Sequence, residues 1–302
     1  MRRDRCRYGR QAGDVAMRLR LIAIVAAMLP LCAAASDRAA LFDRAWSLVD
    51  RHYWDRSFGG QDWAAARDHY RGRAIAAADQ ASFYAALNAM LASIGDSHVY
   101  ARSPADLAVE RAPDRTKREA REVALDVWLV RFDAFMPPDE RWLRATMRAV
   151  RPEALILDLR DNGGGRDDVL DRIAGIFLPS GTPLLLREDA IEKTVGKRLY
   201  NRRIYVLIGP RTASAAELLA AALDRAGADV IGQRSKGAVT GGADYRLPDG
   251  GRLTVADYDV RLPDGTRIEK VGVRPRHVVA DRPGEDAPLA CALHLAKGGA
   301  AC

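Results

Sequence analysis

The sequence offers no spacing that would bind a metal: its five histidines stand in unrelated contexts, and no His/Cys/Asp/Glu set recurs at ligand intervals. Neither G-x-G-x-x-G nor G-x-x-x-x-G-K-[ST] occurs, so neither dinucleotide nor phosphate-loop chemistry has its signature, and no nucleophile lies in G-x-S-x-G as an α/β-hydrolase esterase would require. No metal and no cofactor are implied. Internal repeats and low-complexity tracts are missing too. The longest apolar stretch, Leu21 to Leu31, falls short of the roughly 20 residues that span a bilayer.

Nor is there a stripe of interleaved basic and aromatic residues. The net charge of +7 is misleading, because residues 1–35 carry seven arginines and two aspartates, leaving only +2 beyond them. Nucleic-acid binding is therefore not expected. Arg18 and Arg20, the apolar run and Ala33-Ala34-Ala35 read as the charged, apolar and small-residue regions of a secretory signal, with Met17 the expected start. This predicts export, to a periplasm-like compartment, and no stable membrane span after cleavage. Cys6 and Cys32 leave with that segment. Cys291 and Cys302 remain, either as a bridge clamping the tail or as two free thiols.

Three segments carry chemistry. In Thr212-Ala213-Ser214-Ala215-Ala216-Glu217, small residues join the apolar run Tyr205 to Ile208 to a helix-like run from Leu218. A hydroxyl at such a strand-to-helix turn projects above a sheet while helix-start amides face the same space, as an acyl-transfer nucleophile requires. Taken alone, the same serine could simply cap a helix. The strand Leu155 to Leu159 ends in Arg160-Asp161-Asn162-Gly163-Gly164-Gly165, where glycines let backbone N–H groups approach a developing oxyanion. In Gly95-Asp96-Ser97-His98, a histidine closes a helical region beside another hydroxyl.

In this order the segments resemble the tail-specific, or C-terminal-processing, serine proteases of peptidase family S41, which also include the core of the tricorn protease. Two later stretches extend the resemblance: Gly232-Gln233-Arg234-Ser235-Lys236-Gly237 matches the family pattern G-x-x-[ST]-x-G, and Pro263 to Pro275 contains Ile268-Glu269-Lys270-Val271-Gly272-Val273. Many members have a Ser/Lys dyad, but the lysine position is Ala238 here. Lys236 lies two residues early, about 7 Å along a strand, which leaves a Lys236-based dyad only as an alternative. The tricorn-like branch instead implies a tetrad, with Ser97, His98, Ser214 and Glu269 at its places. His98 is then the general base, either Ser97 or Glu269 fixes its tautomer, and the other orients water or substrate. Ala215 and either Gly164 or Gly165 would supply the oxyanion hole. Asp158, Arg160 and Asn162 are expected to brace the loop, and Glu217 to complement a helix dipole.

The resemblance implies an exported serine peptidase acting on unfolded or C-terminal peptide segments through an acyl-enzyme, with a peptide or protein as its partner. The rival within the same fold is an inactive peptide-binding protein. The chain is expected to divide into the extension and signal at 1–35, a helical subdomain at 36–102 and a charged linker at 103–121, with the resemblance implying a catalytic core at 122–302. The linker is too short to hold the PDZ domain that most processing proteases of the family insert there. In the core, strands are expected at Val123–Val130, Leu155–Leu159, Pro183–Leu186, Ile204–Ile208 and Leu253–Val260, and helices at 141–150, 167–178 and 215–226. That alternation predicts an α/β fold, and the resemblance makes it a crotonase-like ββα core with a small N-terminal helical subdomain.

Overall fold

The computed structural model describes residues 37–110 and 117–302; the expected signal segment lies outside them. Helices α1 (37–52), α2 (Trp63–Ile75) and α3 (Gln80–Ala92) come first. Asp62 and Asp79 cap α2 and α3, accepting from Ala65 N (2.9 Å) and Ser82 N (2.7 Å), so each start has an acceptor for one of its orphan amides. Asp43 on α1 takes both Arg67 and Arg71 of α2.

Strand β1 (Tyr100–Arg102) and helix α4 (Pro104–Glu110) follow, then β2 (Glu119–Ala124) and β3 (Val127–Arg131). The stretch read as a linker thus holds α4 and the start of β2. The single strand expected from Val123 to Val130 is a hairpin arm and its turn: Asp126 adopts φ 56° and Leu125 is 88% exposed, so an apolar residue sits at the tip and disguised the break in the sequence.

Helix α5 (Pro137–Ala149), β4 (Ala154–Asp158), α6 (Asp167–Phe177), β5 (Pro183–Arg187), β6 (Ala190–Lys193), β7 (Arg203–Ile208), α7 (Ala215–Arg225) and β8 (Asp229–Gly232) alternate through the middle. They are followed by β9 (Gly241–Arg246), β10 (Arg252–Tyr258), β11 (Val260–Arg261), β12 (His277–Val278) and α8 (Ala287–Ala296). The main sheet runs β12-β8-β7-β4-β3-β2; every neighbouring pair is parallel except β2 with β3.

All five residues of β4 are buried, because the sheet is covered on both faces. Leu155 and Leu157, with Val206 and Ile208 of β7, share one core with α6 and α7. The alternate residues Ala154, Ile156, Tyr205 and Leu207 pack instead with Cys291, Ala292 and Leu295 of α8. This is the period-2 alternation of a strand serving two faces at once. A disulfide joins Cys291 to Cys302, which settles the question left open by the sequence.

A separate apolar cluster is built from α1, α2 and α3. It also takes in Leu253, Val255 and Ala256 of β10, which lies between β1 and β9 in a three-stranded antiparallel sheet. Late chain segments are therefore packed against the first helices. Because β4 and β7 are adjacent and parallel, the loops leaving their carboxyl ends lie side by side, the usual place for a site in an open α/β sheet.

Candidate active site

The turn after β7 is sewn to the turn after β4. The Thr212 hydroxyl donates to Leu159 O (2.8 Å) and Ala213 N to Asn162 O (3.0 Å). Asn162 in turn donates through Nδ2 to Phe132 O (2.7 Å) and accepts from Gly164 N at Oδ1 (2.9 Å). Its structural role, expected from sequence, has a concrete form here. Asp158 likewise pairs with Arg160, which reaches Asp286 at the start of α8 (2.7 and 2.9 Å).

Ser214 stands at the entry of α7 with φ 56° and ψ −126°. A β-carbon pays for this conformation, and such strain persists only where the surroundings impose it. Here Gly164 does part of the imposing: a Cβ on it would fall 2.5 Å from Ser214 Cβ and 2.9 Å from Ala215 N. The glycine loop and the serine turn are therefore in direct contact, and only glycine permits the approach.

Glu217 completes the turn in a way the sequence did not show. It is fully buried, and its carboxylate accepts from Ser214 N (3.0 Å), Ser235 Oγ (2.6 Å), Gly237 N (2.7 Å) and Ala238 N (2.8 Å). Rather than only answering a helix dipole, it ties the start of α7 to the 235–238 segment. The Glu217 amide bonds to the Ser214 backbone carbonyl (2.8 Å). Among the described residues the amides of Gly165 and Ala215 enter no hydrogen bond, whereas that of Gly164 is taken by Asn162.

His98 comes from the other cluster, in the segment between α3 and β1. Its Nδ1 is 2.9 Å from Ser97 Oγ and 3.1 Å from Thr240 Oγ1. Ser97 Oγ also donates to Glu269 Oε2 (3.3 Å), an oxygen that accepts from Val239 N (2.7 Å) as well. Asp96 Oδ1 accepts from His98 N (2.9 Å) and from Thr240 Oγ1 (2.7 Å). Burial of the ring holds its pKa below the ordinary 6.5, against the attraction of Asp96 and Glu269. The fold thus brings Ser97, His98 and Glu269 into one network, to which Asp96 and Thr240 belong although sequence reading gave them no role. Asp96 had a signal in its place beside Ser97-His98; Thr240 had none.

Ser214, His98, Thr240 and the glycines Gly163, Gly164 and Gly165 all line one cleft of about 880 Å³. Its far wall is polar. Arg187 pairs with Asp167 and Glu192 (both 2.7 Å) and lies 4.0 Å over the Tyr258 ring, whose hydroxyl bonds Asp167 (2.5 Å). Asp171, also on this wall, is pushed up to about 6 by burial and by the nearby Glu192 and Asp167 carboxylates. Lys236 is exposed, is absent from the residues lining the cleft, and Ala238 is buried where a dyad lysine would stand. Among the described residues no cluster has the makings of a metal site, and no helix is long and apolar enough to cross a membrane.

The model of peptidase family S41 matches residues 126–279, just over half of the chain and the whole region that holds β4, Ser214, Glu217 and Glu269. The chain belongs to peptidase family S41. The tricorn protease C1 domain model matches residues 34–92, the helical part. A carboxyl-terminal-processing protease of Picosynechococcus sp. is 35% identical over 135 residues, 42% of this chain and 32% of that protein. The matched part is therefore about a third of that relative's length. Solved structures agree in fold. The photosystem II D1 C-terminal processing protease aligns with a TM-score of 0.56 at 20% identity, over 80% of this chain and 93% of that one. The tricorn protease aligns with 0.66 at 14%, over 87% and 36%. The observed mixed α/β architecture, a central sheet with helices on both faces, is that of S41 protease structures.

Proposed function

We propose that this S41 member is an exported serine peptidase, cleaving unfolded or C-terminal peptide segments through an acyl-enzyme on Ser214, with a crotonase-like catalytic core. The observation that carries the reading is a strained serine at a helix entry sharing one cleft with a histidine whose Nδ1 is already engaged, which leaves Nε2 as the basic nitrogen. His98 Nε2 would take the Ser214 hydroxyl proton as Oγ bonds to the scissile carbonyl carbon, and would pass that proton to the leaving amine as the C–N bond breaks. Water then repeats the attack on the ester and releases the acid.

The developing oxyanion would be held by the amides of Ala215 and Gly165, neither of which enters a hydrogen bond among the described residues, while Gly164 sets their spacing. Ser97 contacts the imidazole directly and Glu269 acts one hydroxyl removed, so the role of fixing the ring falls to Ser97 and that of fixing Ser97 to Glu269. The Lys236 dyad has less support, because its side chain is exposed and outside the cleft lining.

The test is labelling with a fluorophosphonate probe, followed by identification of the modified residue and peptide hydrolysis assays. Ser214→Ala should abolish labelling and lower turnover by at least about 10³-fold with the fold intact, while Lys236→Ala keeps both. Unchanged turnover in Ser214→Ala would refute the nucleophile. A dead Lys236→Ala beside an active His98→Ala would establish the dyad instead, and a correctly folded protein that never labels would favour the peptide-binding alternative.

A further inference from the structure

We propose that Thr240 and Asp96 are positioning residues that lock His98 in the tautomer with its proton on Nδ1, a role beyond the set of Ser214, His98, Ser97 and Glu269. The inference rests on His98 being the base.

Four donors face Asp96: Thr240 Oγ1 (2.7 Å) and His98 N (2.9 Å) on Oδ1, and Tyr53 OH (3.2 Å) and Trp54 Nε1 (3.3 Å) on Oδ2. That is the surrounding of an ionised carboxylate, which has only lone pairs to offer. The Thr240 hydroxyl has one proton, and Asp96 takes it. Its oxygen therefore meets His98 Nδ1, 3.1 Å away, as an acceptor, and the proton between them belongs to the ring. Ser97 repeats the logic, since its proton goes to Glu269 and its oxygen faces the same nitrogen. With acceptors on both sides, Nδ1 carries hydrogen and Nε2 keeps its lone pair.

Asp96 adds a second constraint, because the oxygen that orients Thr240 also holds the His98 backbone amide. Ring and main chain are thus set from one buried carboxylate, itself fixed by two aromatic side chains, Tyr53 and Trp54, just beyond α1. Thr240 precedes β9, so the tautomer lock spans both ends of the chain and closes only when the helical cluster and the late strands are packed together.

The experiment reads the tautomer directly. ¹⁵N-histidine NMR of the Ser214→Ala chain, recorded above the His98 titration, should show a protonated Nδ1 and an unprotonated Nε2. Adding Thr240→Val should move population to the Nε2–H form, and Thr240→Ser should restore the parent pattern. In the chain with Ser214 intact, fluorophosphonate inactivation should slow about 10- to 100-fold in kinact for Thr240→Val with KI unchanged, and stay within about threefold for Thr240→Ser. A parent protein with its proton on Nε2 would overturn the proposal without any Thr240 variant having to fold. So would a Thr240→Val chain with parental tautomer and parental kinact. Failure of the parent to label at all would count against the peptidase reading alone, because the NMR result decides the tautomer independently of turnover.

Discussion

The two halves of the site are held in different ways. Ser214 is fixed by the main chain: a left-handed φ, a glycine in contact with it, and loops after adjacent parallel strands sewn by backbone and short side-chain bonds. His98 is fixed by side chains drawn from far apart: Thr240, 142 residues away, meets its ring directly, and Glu269 holds the Ser97 hydroxyl beside it. The serine half sits in the sheet core and the histidine half on the helical cluster. The position of Ser214 should therefore hold as long as the sheet is folded, while that of His98 depends on the seam between two cores.

Four perturbations would break or sharpen that contrast. The largest effect is expected from Glu217→Gln, which puts an amide NH₂ among four donors inside a buried pocket; a loss of about 3–5 kcal/mol in urea unfolding is expected, with labelling lost even at temperatures where the fold persists. Next comes Gly164→Ala. Its Cβ would collide with Ser214 Cβ at a positive φ of 89°, so a cost of about 2–3 kcal/mol and at least a tenfold drop in labelling rate are expected. A mutant equal to the parent in both would show that the serine turn is not braced by the glycine loop.

The third is a pH profile. With the His98 pKa below 6.5 because of burial, the acid limb of the labelling rate should fall below that value, since the neutral ring persists there. The same shift acts on stability. The unfolded chain binds a proton near 6.5 that the folded chain refuses, so this contribution is present above 6.5 and is lost as pH falls toward the depressed folded value. His98→Asn should remove that part of the pH dependence in thermal melts.

The smallest effect is Asp171→Asn. Its pKa of about 6 lies above the ordinary 3.8, so the ionised carboxylate costs stability as pH rises through 6. Replacement should gain about 1 kcal/mol at pH 7.5, discounted for partial exposure, and nothing near pH 4. A gain that does not vary with pH would place the effect outside titration.

What the sequence made legible follows the same division. Ser214, the glycine loop and the flanking strand and helix were readable because their physics is local: an apolar run, small residues and a helix start. His98, Ser97 and Glu269 could be named only through the family resemblance, because nothing near residue 98 announces residues 240 or 269. Thr240 stayed invisible for that reason. Glu217 does stand in the first turn of α7, as expected, but its further partners were hidden, since a first-turn glutamate is ordinary until one knows that the 235–238 segment arrives beside it. The hairpin at Leu125-Asp126 was hidden by an apolar residue at an exposed tip, where burial patterns mislead.

Gly241 lies on the cleft wall and has no side chain, and any β-carbon there would enter the space of the Tyr258 ring. That ring is clasped by Arg187 and anchored on Asp167, the first residue of α6 and two positions beyond Gly165. A bulkier residue at 241 would therefore not merely narrow the groove; it would lever the phenol outward, tug the mouth of α6, and disturb the glycine loop that leads into it. Asp244 and Arg252 line the same cleft and pair with each other (3.1 Å), outside that linkage.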